Sequence, residues 1–229
     1  MGHVAIAKYL STCTMFNEVR IMPVYRHMYG EKRRRVEDEE GAWNTKLEMC
    51  RLAFGTSSED GPSSEGAAKV VVSDVERRAF LRQAELNPGR PKEELRVGTA
   101  DVLDYLVGTE PEATFHLCLG ADTYVDLCGG KWKRCSDIAD MVRGRVHVVT
   151  RAGFEREIEG LVEAQIALEA GGGGGFSMPA TVHKGVEGLG DVSSSEARQT
   201  QDVDRLEELV GRKVAEFIVE KKMYAFKEI

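Results

Sequence analysis

Three short stretches of this chain combine residue types that can hold a phosphorylated ligand. The first is Leu119-Gly120-Ala121-Asp122, at the end of the apolar run Phe115 to Leu119. A glycine there lets a ligand approach the backbone, and the carboxylate that follows can accept hydrogen bonds from ribose hydroxyls. Asp122 also reads as a plain helix cap. The second stretch is Val192-Ser193-Ser194-Ser195-Glu196-Ala197-Arg198. Its three hydroxyls open a helix whose unpaired backbone N–H groups favour an anion, and Arg198, one turn on, can fork onto phosphate oxygens. The alternative is an ordinary serine cap, with Glu196 completing a capping box and Arg198 solvated. The third is Gly2-His3, at the opening of a helix, where an imidazole can donate to a phosphate oxygen.

These stretches need elements that carry them to one edge. Apolar residues at positions 4, 5, 7 and 10 predict an amphipathic helix over 3–10. Residues 18–22 alternate and stop at Pro23, which predicts a short strand and a loop. Asn44 or Thr45 can cap a helix through Phe54 that Gly55 ends. Lys69 to Ser73 is β-branched and predicts a buried strand, and residues 85–96 read as a loop. A helix is expected from Thr99, a strand at 115–119, a helix over 138–142 and a strand over 145–149. A helix over 155–170 and a strand over 179–183 follow, and apolar positions 203, 206, 210, 214, 217 and 218 predict a helical C-terminus. Strands alternating with helices predict an α/β, doubly wound parallel sheet with helices on both faces. In that architecture ligands bind at the carboxyl ends of the strands.

The chain has 229 residues, a size that fits one large domain or two small ones, and its 42% hydrophobic share can bury a sizeable core. Flexible loops are expected near 55–67 and 170–178, the second containing Gly171 to Gly175. With 38 acidic and 31 basic residues the net charge is −7, a poor match to a nucleic acid or an anionic membrane. No apolar run is long enough to span a bilayer, and no secretory signal opens the chain. Five cysteines without a CxxC pair point to free thiols and an intracellular, cytoplasmic protein. The five histidines are too scattered to suggest a metal cage.

In their order along the chain, these segments resemble the nicotinate/nicotinamide mononucleotide adenylyltransferases of the HxGH nucleotidyltransferase superfamily. Gly2-His3 is similar to the second half of HxGH, and "VRIMPVY" (19–25) to the second strand and its proline-containing loop. "TKLEMCRLAF" (45–54), "VGTADVLDYL" (97–106), "LGAD" (119–122), Trp132-Lys133 and "VVTRAG" (148–153) continue in register. "VSSSEAR" (192–198) resembles the family's ISSTxxR, with Ser195 in place of Thr, and the terminal helix through Tyr224 also fits. The likeness spans nearly the whole chain. Val97 and Gly98 stand where the family often has an aromatic residue. The resemblance also implies a first strand, a G-[ST]-F-[DN]-P loop and a first histidine upstream of Met1. The chain is therefore expected to be N-terminally truncated, with a Rossmann-like sheet that lacks its first strand and leaves two neighbours short of a ladder partner.

What the resemblance implies is a single nucleotidyltransferase domain over 1–229. It would transfer AMP from ATP to nicotinate or nicotinamide mononucleotide, releasing pyrophosphate and forming a dinucleotide in NAD biosynthesis. His3 is the implied catalytic donor to the phosphates. Gly2, Lys32, Gly120, Asp122, Ser194, Ser195 and Arg198 are the implied ATP-binding set. Thr99, Trp132 and Arg151 are implied for the mononucleotide, Trp132 stacking on the pyridine, although a single Trp also reads as core. Mg²⁺ is expected with ATP, without a protein metal cage, and a homo-oligomer is compatible with the chain. Lys32 to Arg35 are four consecutive cations that either draw ATP inward or pair in solvent with Glu37 to Glu40. The alternatives are transfer to another phosphorylated acceptor and a catalytically inactive nucleotide-binding paralogue.

Overall fold

The computed structural model describes residues 2–26, 39–55, 67–151, 155–170, 177–189 and 194–228. Lys32 to Arg35, Ser193 and nearly all of the two expected loops lie outside the described residues. The elements in chain order are α1 (Gly2–Ser11), β1 (Glu18–Ile21), α2 (Glu39–Phe54), β2 (Lys69–Val72), α3 (Val75–Leu86) and α4 (Thr99–Thr109). They continue as β3 (Leu117–Gly120), α5 (Ala121–Cys128), α6 (Cys135–Val142), β4 (Val146–Val149), α7 (Glu155–Ala170) and β5 (Ala180–His183). The last three helices are α8 (Ser194–Gln199), α9 (Val203–Val210) and α10 (Arg212–Glu220). All strand pairs are parallel, so the expected α/β architecture is present. They form two ladders, β1-β2 and β3-β4-β5. The chain divides into two compact units, one of Met1–Tyr25, Arg34–Asp74 and Glu187–Ile229, the other of Arg26–Arg33 and Val75–Val186.

In the first unit, α1 buries Ala7 and Leu10 in a cluster with Val19 of β1 and Ala68 beside β2. α2 begins upstream of the cap expected at Asn44 or Thr45. Trp43 is buried and meets Tyr25 edge-on at 5.1 Å, while the Thr45 hydroxyl donates to the Gly41 carbonyl at 2.8 Å inside the helix. Strand β2 is expected to be buried; Val70 to Val72 are half-buried, and among the described residues β2 pairs with β1 alone. The C-terminal helical pattern is broken once, at Gly211. Its φ of +84°, open to glycine and rare for other residues, turns the chain between α9 and α10. Ala197, Leu206, Leu209, Val214 and Ile218 then close a core with Met49 and Leu52 of α2 packed against it.

The second unit is built on β3-β4-β5. Its register aligns Leu117, Val146 and Ala180 in one row and Leu119, Val148 and Val182 in another. Both rows join Tyr124 and Leu127 of α5, Ile138 and Val142 of α6, and Ile158 and Val162 of α7 in one hydrophobic cluster. Each fully buried aliphatic side chain there is worth about 1.5–3 kcal/mol. Helix α3 fills a stretch in which the sequence reading assigns no element; it buries Val75, Ala79 and Phe80. The five cysteines carry no disulfide.

The opposite face of this ladder carries a diagonal of histidines. His116 Nδ1 lies 2.9 Å from His147 Nε2, and His147 Nδ1 lies 2.9 Å from His183 Nε2. A neutral imidazole has one donor and one acceptor, so two such contacts in series engage both ring nitrogens of His147. Burial, reinforced by the neighbouring His183 and His116, pushes the His147 pKa down to about 4. Burial lowers His183 too, and His116 is lowered by burial and then by the Arg145 charge. The neutral form thus belongs to the folded state. Stability is fully present above pH 6.5, where the unfolded histidine is also neutral, and falls as pH drops toward about 4. We expect His147 alone to account for a loss on the order of 3 kcal/mol across that window. Urea midpoints should fall with decreasing pH in the wild type and fall less steeply in His147→Leu, where His116 and His183 remain.

Candidate functional site

In the first unit, the Ser194-Ser195-Arg198 group is assembled by a short helix. Ala197, on the inner side of α8, is buried in the core formed with α9 and α10. This leaves Ser194, Ser195 and Arg198 exposed. Arg198 Nη2 lies 3.4 Å from both the Ser194 and the Ser195 hydroxyl oxygens. The guanidinium and two hydroxyls therefore converge on one helix end, a set of donors suited to phosphate oxygens. Glu196 accepts from Arg205 Nε at 2.7 Å. Gly188, on the approach to α8, has φ +78°, and a Cβ there would meet the Ala5 Cβ at 3.3 Å. That close approach runs the incoming chain past α1, whose first turn holds Gly2 and the exposed His3.

In the second unit, the ladder register sets the site. Gly120 ends β3 opposite Val149 of β4, which itself stands opposite His183 of β5. Gly120 with Asp122, and Arg151 two residues past β4, consequently lie at the carboxyl ends of neighbouring strands. Gly120 is the residue that precedes α5 as its cap, without a side-chain capping bond, and Asp122 sits exposed inside the first turn. The carboxylate is therefore not the cap that the alternative reading assigns to it. Its Oδ1 would lie 3.2 Å from a Cβ at Gly120, so it folds over the glycine backbone. Tyr124 holds this helix in place: it is fully buried and its hydroxyl donates to the Met178 carbonyl at 2.6 Å. Burial raises its pKa, so it stays a neutral donor.

Thr99 is the first residue of α4, and Trp132 is half-buried against the main cluster. A node of charge joins their segments. Arg134 donates to Asp104 at 2.7 Å and Asp101 at 3.1 Å, and its Nε donates to Asp137. Hydrogen bonds to Asp104, Asp137 and Asp101 raise its pKa further. Its backbone is left-handed, φ +61° and ψ +42°, at a cost of about 1–2 kcal/mol for a residue with a Cβ. Sequence reasoning missed this node. Asp101 stands two residues after Thr99 and Arg134 two after Trp132, a symmetry of spacing that hints at it, but nothing in the sequence sets the two loops side by side. The histidine diagonal was equally hidden, because it needs the strand register. Among the described residues no group of three or more His, Cys, Asp or Glu side chains is arranged to hold a metal ion.

The predicted residues thus fall into sets. Gly2, His3, Ser194, Ser195 and Arg198 belong to the first unit, and Thr99, Gly120, Asp122, Trp132 and Arg151 to the second. Lys32 lies outside the described residues.

Parallel strands joined through helix-bearing crossovers define an α/β, Rossmann-like fold. The structure of Plasmodium falciparum nicotinic acid mononucleotide adenylyltransferase complexed with APC matches 98% of this chain and 90% of its own. The TM-score is 0.59 at 15% sequence identity, which establishes likeness of fold. No protein-family profile and no curated protein matches the chain. Among the described residues, no helix is long and apolar enough to cross a membrane.

Gly120 tests how tightly the strand end is built. Its φ of −75° suits alanine, and the close neighbour of an added Cβ is the end of a flexible side chain. Gly120→Ala is expected to change unfolding free energy by less than about 1 kcal/mol in urea titrations, by displacing the Asp122 carboxylate alone.

Proposed function

We propose that the chain transfers AMP from ATP to nicotinate or nicotinamide mononucleotide. A 5′-phosphate oxygen of the mononucleotide attacks the α-phosphorus of ATP. The new P–O bond forms as the bond to the β-phosphate oxygen breaks, and pyrophosphate leaves with that electron pair. The protein's part in such a reaction is to position two anions and to stabilise charge on the phosphoryl oxygens.

The observation that carries this reading is the convergence of Arg198 on the Ser194 and Ser195 hydroxyls, in a fold similar along its length to a mononucleotide adenylyltransferase. Ser194, Ser195, Arg198 and Lys32 would hold the triphosphate, and His3, with Gly2 opening its helix, would donate to the transferring phosphate. Gly120 and Asp122 would lie along the adenosine ribose. Trp132 would stack on the pyridine, with Thr99 and Arg151 around the mononucleotide. The donors at α8 are hydroxyls and a cation, which suit phosphate and not a metal; Mg²⁺ carried by ATP would supply part of the charge neutralisation.

Incubation with ATP, Mg²⁺ and each mononucleotide should yield the dinucleotide and pyrophosphate, read by chromatography. Turnover with a different phosphorylated acceptor alone would replace this reading by transfer to that acceptor. Saturable ATP binding without turnover would make the chain an inactive nucleotide-binding paralogue. Within the active protein, Arg198→Ala is expected to raise the KM for ATP by about tenfold or more with little change in melting temperature, because the side chain is exposed.

A further inference from the structure

We infer that Asp101 is a positioning residue for the acceptor side of the site: its carboxylate ties the mouth of α4 to the loop carrying Trp132 and so sets where the indole meets the acceptor's base. The inference rests on the proposed role of Thr99 and Trp132 at the mononucleotide.

Asp101 is the buried member of the carboxylate node, its side chain 9% exposed against 49% for Asp104 and 48% for Asp137. A buried carboxylate is retained at a desolvation cost that must be met by donors. Its donors come from two directions. Oδ2 accepts the Gly98 backbone N–H at 2.9 Å, immediately before Thr99. Oδ1 accepts from Arg134 at 3.1 Å, and Lys133 Nζ lies 3.8 Å from Oδ2. One side chain therefore holds the backbone beside Thr99 and the two cations that follow Trp132.

The geometry of the second loop makes that grip directional. Arg134 is left-handed, and its guanidinium is fixed by Asp101, Asp104 and Asp137. On the other side, the Trp132 carbonyl accepts from Cys135 Sγ at 2.9 Å. The chain from Trp132 to Cys135 is thus pinned at both ends, and the indole is seated half-buried on the main cluster. Asp104 and Asp137 hold the same guanidinium, but their carboxylates are half-exposed, and Asp101 is the member that also accepts the Gly98 N–H next to Thr99.

The test uses the full chain carrying Trp43→Phe, which leaves Trp132 as the single tryptophan. In that background Asp101→Asn keeps an acceptor for Gly98 and loses the charge that Arg134 meets. We expect acrylamide quenching of Trp132 to increase and the KM for the mononucleotide to rise about tenfold, with the KM for ATP within about twofold and Asp101→Glu partly restoring both signals. Equal rises in the two KM values, or unchanged mononucleotide KM and unchanged quenching, would overturn the inference. If the parent protein forms no dinucleotide and nicotinate mononucleotide does not alter Trp132 fluorescence, the proposed acceptor fails. The acrylamide measurement on Asp101→Asn then still decides whether Asp101 sets the indole. Should Asp101→Asn fail to fold, Arg134→Lys, which keeps the charge but cannot fork to three carboxylates, gives the same pair of readings.

Discussion

The parallel register of β3, β4 and β5 is the constraint from which the strand-end cluster of the second unit follows. Val146 and Val148 are fully buried, and the rows they form with Leu117, Leu119, Ala180 and Val182 leave the core cluster no second register. A slip of one residue would turn His147 into that cluster and two valines out of it. Once the register is fixed, Gly120, Arg151 and Lys184 must lie at one edge of the ladder, with Thr150 buried between β4 and β5. Polar residues at strand ends are then brought together by apolar residues that never meet a ligand. The same register produces the histidine diagonal on the opposite face, so one packing decision sets both the strand ends and a titratable ladder.

A second level of positioning is electrostatic and local. Packing alone would let the loop after α5 take several paths, since it is short, basic and partly exposed. Arg134 removes that freedom by adopting a left-handed backbone that three carboxylates hold in place. Exposed pairs contribute little to stability, so the weight falls on the buried member, Asp101. The arrangement specifies the path of the loop that carries Trp132 more than it adds stability.

How much of this was legible from the sequence depended on whether the signal was local. Helix α7 occupies the stretch read from its periodicity, and strand β4 follows from a β-branched run with one polar residue. Gly120 and Asp122 were recognisable because strand, glycine and carboxylate are consecutive. Helix α3 was not seen: its buried positions Val75, Ala79 and Phe80 are diluted by five charged residues, so its apolar stripe is narrow. The start of α2 was misplaced because Trp43 draws the helix upstream through tertiary burial, which overrides the capping preference at Asn44 and Thr45. Asp101 and Arg134, thirty-three residues apart, and the three histidines, at least thirty-one apart, gave no sequence signal because each group exists only after non-local pairing.

The end of α8 where Arg198 meets Ser194 and Ser195 is organised on the opposite principle. Helix α8 has six residues, too few to be stable by its own hydrogen bonds, so its orientation must come from outside. Buried Ala197 supplies one anchor, and Arg205, which also pairs with Glu208 and whose backbone N–H is capped by the Asp202 carboxylate at the start of α9, supplies another by donating to the Glu196 carboxylate. That pairing does more than hold the helix. It sets a cation against the acidic side chain of the Ser-Ser-Glu-Ala-Arg stretch, so an exposed ion pair of small energy shapes the local potential around the Ser194 and Ser195 hydroxyls and the Arg198 guanidinium.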